Sequence, residues 1–557
     1  MAGKTDRTVE LVKRSLDPET APVFEKRLKR QAAWLREAIE DGRMDNDDFA
    51  VGLEMEVYAV TESDHDRSVT EGGGGTNGGS HGGTDGEFDG GADAPGGADE
   101  TERTAALALA PLPESVFEEP AANKELGLHN VEINTDPTVL SEAGLAAQAD
   151  GIRERTRTAR RVARTHGCEL ALDAMWTLPP EEGATEYLSA TERRDGVVFA
   201  DNMRQDPRYV AIDNDVLEHA GGGPIPLSVP GASPSFPTIL FESLATSIQP
   251  HLQIPTADAF PAYYNTAIRT LGPVLALSAN SPFLPAALYE DIDDHEAFLE
   301  ATHHELRIAV FEQSVNRTPN AKVRVPRDIE TAADVVDRVL GDDRYAPFLR
   351  EWIDGGTDRE TLSERLWEFD HKRGTYWRWL RCVVGGDRIG PDNDERSLRI
   401  EYRPLPTQPT VTDVVGLQAL VAGLLCGLVA ADHPIVELPW EAAESSFYNA
   451  AESGLEADLE WVTETGERTN DRERIFGEVF SYARTGLEAA GVPPSDIERY
   501  LAPIEARWDA RKTPSDWKKA RVGDALDAGA DIGTAITRMQ TRYLDRSRET
   551  DSFAEWL

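Results

Sequence analysis

Five metal-ligating side chains and two guanidinium groups stand in short strand-like stretches of this chain, several at a spacing of two from another polar residue. Glu54 and Glu56 stand in FAVGLEMEVYAV (49 to 60), and Glu132 in LGLHNVEINT. His251 follows Gln249 in TSIQPHLQI, and Glu401 precedes Arg403 in RSLRIEYRPL. Arg381 lies in YWRWLRCVV. On one strand Glu54 and Glu56 share a face roughly 7 Å apart, and at an effective dielectric of about 20 they repel by about 2 kcal/mol. Solvent relieves that repulsion on a wet face; a bound cation relieves it in a site. Mg²⁺ takes one or two carboxylates together with substrate phosphate oxygens, so Glu54, Glu56, Glu132 and Glu401 suffice for more than one such ion. His251 and Gln249 can complete a shell or touch a phosphate. Arg403 and Arg381 can hold a phosphoryl group or a carboxylate through paired hydrogen bonds. Together these groups suit phosphoryl transfer, where metals and arginines neutralise charge on a moving phosphate.

The elements that must position them read as strands. Phe49, Val51, Leu53, Met55, Val57 and Ala59 oppose Gly52, Glu54, Glu56 and Tyr58. Asn130, Glu132 and Asn134 oppose Val131 and Ile133; Ser247, Gln249, His251 and Gln253 oppose Ile248, Leu252 and Ile254. Arg399, Glu401 and Arg403 oppose Leu398, Ile400 and Tyr402. One such strand is an ordinary half-exposed antiparallel strand. Four whose polar faces hold Glu, Asn, Gln, His and Arg point to a site.

Around these strands the periodicity predicts an N-terminal helical segment over 1–47, with DPET (17 to 20) as a cap. The Gly/Asp-rich stretch within about 62–102 cannot bury a core and reads as a disordered insertion in a hairpin. Its GxGxxG and GxSxG matches lack a strand before and a helix after, so they carry no chemistry. Further strands are expected at 104–113 and in CELALDAMWTLPP, and helices across 293–370. THHEL (302 to 306) lacks zinc-protease spacing and reads as helix surface. Tyr376, Trp377 and Trp379 read as core. From 436 to 557 only amphipathic helices are expected. GLQALVAGLLCGLVAA (416 to 431) is too short to span a bilayer and reads as a buried helix.

The chain has 557 residues, 100 Asp+Glu against 57 Lys+Arg, and a net charge of −43. No basic stripe is available for nucleic acid, and an anionic membrane is equally disfavoured. Only ten of the basic residues are lysine. Excess acid and scarce lysine resemble proteins of salt-loving archaea, where salt screens self-repulsion. Cys168, Cys382 and Cys426 are far apart, which suits a reducing compartment. The chain reads as soluble and cytoplasmic.

GLEME, VEINT, the Gln249/His251 pair, LALSANSPF (275 to 283) and RIEYR together resemble the glutamate–cysteine ligases, in the carboxylate–amine ligase and plant-type branch. The resemblance covers roughly 48–430. It implies an α+β fold of the glutamine synthetase-like type, an antiparallel sheet forming a funnel within a catalytic domain of about 48–435. It implies ATP as co-substrate, Mg²⁺ or Mn²⁺, and condensation of glutamate with an amine such as cysteine through γ-glutamyl phosphate. Glu54, Glu56, Glu132, His251 and Glu401 are then metal-facing, and Arg403 and Arg381 contact phosphate. Asn134, Gln249, Ser278 and Asn280 are implied to bind substrate or nucleotide. Pro406 stands where the family often has aspartate. Pro250 interrupts a strand, which is tolerated best at an edge or bulge. The C-terminal helices exceed the usual core and are candidates for assembly into a homo-oligomer. A guanidino phosphotransferase and an inactive ATP- and metal-binding scaffold are the alternative readings.

Overall fold

Alternation of apolar and polar residues from Ala50 to Glu62 makes a strand, β1, whose two faces have different work. In the computed structural model, which describes residues 2–46, 48–62, 107–118, 122–352, 362–385 and 397–557, β1 is the hub of a nine-stranded antiparallel sheet. The others are β2 (Leu107–Leu109), β3 (Asn123–Lys124), β4 (Asn130–Asn134), β5 (Thr138–Val139), β6 (Cys168–Ala171), β7 (Ile248–Ile254), β8 (Leu380–Val384) and β9 (Leu398–Tyr402). The main path runs β8-β9-β7-β1-β4-β3, with β2, β5 and β6 also pairing to β1. β2 follows β1 as the expected hairpin partner. The Gly/Asp-rich insertion between them lies outside the described residues.

Register places the polar residues in rows. Glu54 stands opposite Asn134 on β4 and Gln249 on β7, and Glu56 opposite Glu132. His251 stands opposite Gly52 and Glu401, and Glu401 opposite Arg381. A one-residue slip would send every one of these side chains to the other face, so the burial of the apolar face fixes the site. That apolar face includes Val51, Leu53, Met55, Val131, Ile133, Leu252 and Ile400, all buried.

Pro250 is not on an edge, because β7 pairs on both sides. Ile248 donates its amide to Leu405, so alternate amides of β7 aim toward β9 and the donor Pro250 lacks belongs to that side. There the ladder is interrupted: His251 pairs Glu401, but the next bridge is Ser247 to Pro406, one residue out of step. The proline falls beside a bulge, where no ladder bond is lost.

The helices include α1 (Ala2–Leu16), α2 (Thr20–Glu40), α3 (Glu142–Arg164), α4 (Pro207–His219), α5 (Phe260–Ser278), α6 (Trp367–Arg373), α7 (Val411–Ala430), α8 (Trp440–Ser453), α9 (Arg472–Ala489), α10 (Pro494–Ala510), α11 (Pro514–Asp527) and α12 (Ile532–Glu549), with others between α3 and α4 and between α5 and α6. DPET opens α2: Asp17 accepts the Glu19 amide on its side chain at 2.8 Å, while Glu19 itself makes no side-chain cap bond. α7 is long and apolar enough to cross a membrane, but 83% of its apolar window is buried, and it serves as the central core helix. Gln418 of α7 donates to the Gly52 carbonyl and to Gln148 of α3, each at 3.1 Å, tying both helices to the back of β1.

The C-terminal helices share this core. Gly423 and Gly427 of α7 meet α9 so closely that a Cβ at either would lie 2.4 or 1.9 Å from the carbonyl oxygens of Ala483 and Tyr482. Lys518 of α11 bonds Asp173, Gln540 of α12 reaches Asp173 at 2.7 Å and the Tyr58 hydroxyl at 3.1 Å, and Arg507 bonds Asp413 at 2.8 Å. Two short strands, Trp461–Val462 and Arg468–Thr469, pair within this region, which is therefore not purely helical. THHEL is not helix surface either. Glu305 is fully buried and accepts from the Asn280 amide at 2.9 Å, the Ser281 hydroxyl at 2.5 Å and Arg307 Nε at 3.2 Å.

Candidate active site

The polar face of the sheet opens into a cavity of about 460 Å³. Glu54, Glu56, Glu132 and Gln249 line its floor, and Arg381 and Arg403 its side. A smaller cavity of about 90 Å³ lies on the other side of Glu54, lined by Gly52, Asn134, His251, Gln253 and Arg399 among others. Glu54 lines both.

Within this frame the expected metal ligands divide into two groups. Glu54, His251 and Glu401 bring one ligand atom each within 4.8 Å of one another, and Glu56, Glu125 and Glu132 do the same. His251 Nε2 lies 3.1 Å from Glu54 Oε1, while its Nδ1 is buried without a hydrogen-bond partner. Glu401 receives a two-pronged contact from Arg381, with Nη2 donating to Oε1 at 2.9 Å, and a further bond from Arg403. Arg403 also donates to Gln249 Oε1 at 2.8 Å, and Gln249 donates to Glu56 at 3.0 Å. Asn134 donates to Glu132 at 2.8 Å.

Electrostatics separates the two groups. Burial opposes charge on Glu401, but Arg381 and Arg403 outweigh it and hold the carboxyl well below the ordinary range. Burial likewise opposes charge on Glu54, and His251 outweighs it. In the second group burial raises the Glu56 carboxyl, outweighing Arg307 and Arg403, which favour its charge. Burial first, then Glu54 and Glu56, push Glu132 up to about 7. Burial, then Glu132 and Glu56, push Glu125 well above its usual value. Glu242, on the same wall, is pushed up to about 8 by burial and by Glu56. Glutamates this close, with raised pKa values, resist ionising beside one another, and a bound cation would favour their charged form. Oxygen donors with one imidazole and an unpartnered buried Nδ1 fit a hard divalent cation, Mg²⁺ or Mn²⁺.

Ser278 and Asn280 do not line either cavity. Ser278 is buried and donates to the Leu275 carbonyl, and Asn280 donates to Thr407 and to the Tyr543 hydroxyl, each at 2.8 Å. Asn280 thereby braces α12 against the segment that follows β9. Of the three aromatic residues expected in the core, Tyr376 and Trp379 are buried there, whereas Trp377 lines the larger cavity. Sequence reasoning missed Glu125, Glu242, Arg208 and Arg373 on the cavity wall. Glu125 had a readable signal: β3 folds back on β4, setting Asn123 opposite Glu132, so the residue at that turn returns to the acidic row.

An antiparallel sheet carrying paired acidic groups beside buried arginines, over a cavity of small-molecule size, defines an enzyme-type site for a highly charged substrate. The model of glutamate–cysteine ligase family 2 matches residues 50–544, and the chain belongs to that family. It is accordingly an ATP-dependent ligase that forms a carbon–nitrogen bond. Among solved structures it is similar to a glutamate–cysteine ligase from Francisella tularensis in complex with AMP (10% identity, TM-score 0.44, 91% of this chain and 90% of that one). It is also similar to a bifunctional glutathione synthetase from Pasteurella multocida (14% identity, TM-score 0.46, 90% of this chain and 53% of that one). A glutamine synthase homolog gives 11% identity and a TM-score of 0.26, over 92% of this chain and 75% of that one. No curated protein sequence matches. The family match runs past residue 435 into α12, through the helices that share the core.

Proposed function

We propose that the protein joins the γ-carboxylate of glutamate to the amine of cysteine. A carboxylate oxygen takes the terminal phosphoryl group of ATP, releasing ADP. The neutral amine nitrogen then attacks the acyl carbon and loses a proton to water, and the carbon–oxygen bond breaks as phosphate leaves with that oxygen. One observation carries this reading: Glu54 lines both cavities, so a group activated in the larger one meets a nucleophile lodged in the smaller one across a single carboxylate.

Glu54, His251 and Glu401 would hold one divalent cation and Glu56, Glu125 and Glu132 another. Bound there, such cations supply charge neutralisation for ATP phosphates and orient them. The chain's own residues do the rest. Arg403 and Arg381, anchored on Glu401, aim guanidinium groups at the same wall, where a phosphoryl oxygen is stabilised by donors that need no reorganisation. Gln249 keeps Arg403 and Glu56 in register. Pro406, where the family often has aspartate, contributes only backbone: its carbonyl accepts from Gln408 at 2.8 Å.

The test is an isotope transfer. With ¹⁸O in the γ-carboxylate of glutamate, one labelled oxygen is expected in each phosphate released. Unlabelled phosphate accompanying amide product would contradict the acyl phosphate step.

A further inference from the structure

Four arginines line the larger cavity: Arg208, Arg373, Arg381 and Arg403. Three are matched to acids, Arg381 and Arg403 to Glu401, and Arg373 to Asp370 at 3.1 Å. Among the described residues Arg208 makes no ion pair and no side-chain hydrogen bond, and its Nε is buried without a partner. Its backbone is fixed at the second position of α4, where its amide donates to Asp206 at 2.8 Å. Its guanidinium lies over Gly374, the residue that closes α6. A Cβ at 374 would come within 2.0 Å of Arg208 Nη2 and 3.1 Å of its Cζ.

Asp206, Asp370 and Tyr209 lie close enough to favour charge on Arg208, but none pairs with its guanidinium, and a buried guanidinium without a paired acid is unfavourable unless something offsets its desolvation. Burial, and the like-charged Arg373, outweigh those groups and lower the Arg208 pKa. The fork geometry of the group matches a carboxylate or a phosphate. We propose that Arg208 is the residue that docks an oxyanion of the substrate, with Gly374 keeping open the space its fork occupies. The oxyanion is a carboxylate of the acid substrate or a phosphate of the nucleotide. The proposal rests on the ligase reading above.

Two variants of the full chain test it. Arg208→Gln removes the charge. Gly374→Ala keeps the charge but displaces the guanidinium; the colliding atom is the end of a flexible side chain and the backbone at 374 is ordinary helix closure, so the fold is retained. Initial rates are measured with glutamate and ATP varied in turn, alongside thermal unfolding. Both variants are expected to raise one KM by about tenfold or more, the scale of a lost charge-assisted pair, with the unfolding midpoint of Gly374→Ala near that of the parent. A rise confined to glutamate assigns the carboxylate; a rise confined to ATP assigns the phosphate. Arg208→Lys is expected to recover only part of the loss, because it restores charge without the fork. Unchanged KM values for both substrates in both variants would overturn the proposal. If the parent protein turns over no amine, the ligase reading fails. Calorimetric titration of each variant with ATP·Mg²⁺ and with glutamate then decides Arg208 separately, since weakened binding supports the proposal and parental affinity for both refutes it.

Discussion

Glu132 and Glu242 should govern how the cation-free protein responds to pH. Both carboxyls are pushed up from 4.5, to about 7 and about 8, burial being the largest cause and neighbouring glutamates adding to it. In that range the folded protein binds protons that the unfolded chain has released, so stability falls as pH rises. The clean window is about pH 6.5 to 8. Above it Lys322, lowered to about 8 by burial, begins to act with the opposite sign. Below it the buried histidines His129, His304 and His371, lowered to about 4, 4 and 3, oppose the carboxyls. Glu54 and Glu401, held low, act only in stronger acid. Thermal unfolding in chelator should therefore lose stability on the order of 1–3 kcal/mol across this window. Mg²⁺ should restore much of the loss, and Glu132→Gln should reduce it. Asp213 and Glu312, also raised to about 7 by burial, add to the fall but not to its relief by Mg²⁺. A cation-free protein whose stability is level across the window, or unaffected by Mg²⁺, would argue against two cation sites. Glu54, Glu56, Glu132, His251 and Glu401 were legible because a strand's period of two sorts its faces in the sequence itself. Glu242 and Arg208 sit at the starts of helical turns, and only tertiary packing decides where those point.

At the scale of elements, the sheet was legible wherever alternation was strict, and illegible where a bulge changed the count. Pro250 looked out of place in a central strand until the one-residue step between the Glu401 and Pro406 pairings accounted for its missing donor. The close contact of α7 with α9 had no sequence signal beyond small residues in an apolar helix. It makes a sharp prediction. Gly427→Ala would drive a methyl into the Tyr482 carbonyl and is expected to cost about 3 kcal/mol. Gly477→Ala, on the open side of α9 with nothing within 4 Å, should instead gain about 0.5–1 kcal/mol. Urea unfolding of the pair checks both signs. Equal effects would mean that α7 and α9 are not packed backbone to backbone. α2 also acts on the site at this scale. Its Gln31 donates to Glu368 at 2.7 Å and accepts from the Phe369 amide at 2.8 Å, bracing α6 and with it the wall that carries Arg373 and Gly374.

Over the whole molecule, a net charge of −43 sets the conditions under which the fold persists. Self-repulsion of that size destabilises a compact state unless salt screens it, so the unfolding temperature should climb between about 0.1 and 3 M KCl. A midpoint that KCl does not move would remove the salt-loving reading. The family motifs suggest a boundary near residue 435 between a catalytic domain and a C-terminal extension, but packing is continuous across it. Lys518, Gln540 and Arg507 place buried polar groups from three C-terminal helices against Asp173, Tyr58 and Asp413, contacts between residues 345, 482 and 94 apart that no local pattern announces. The central claim, that this face assembles a γ-glutamyl amide, is tested most directly by phosphate release in multimolar KCl with ATP, Mg²⁺, glutamate and candidate amines added singly, with products identified by mass. Phosphate is expected to be released in step with γ-glutamylcysteine and only when cysteine is present. ATP·Mg²⁺ binding without turnover on any amine, or phosphate retained on a phosphorylated guanidino product, would contradict that claim.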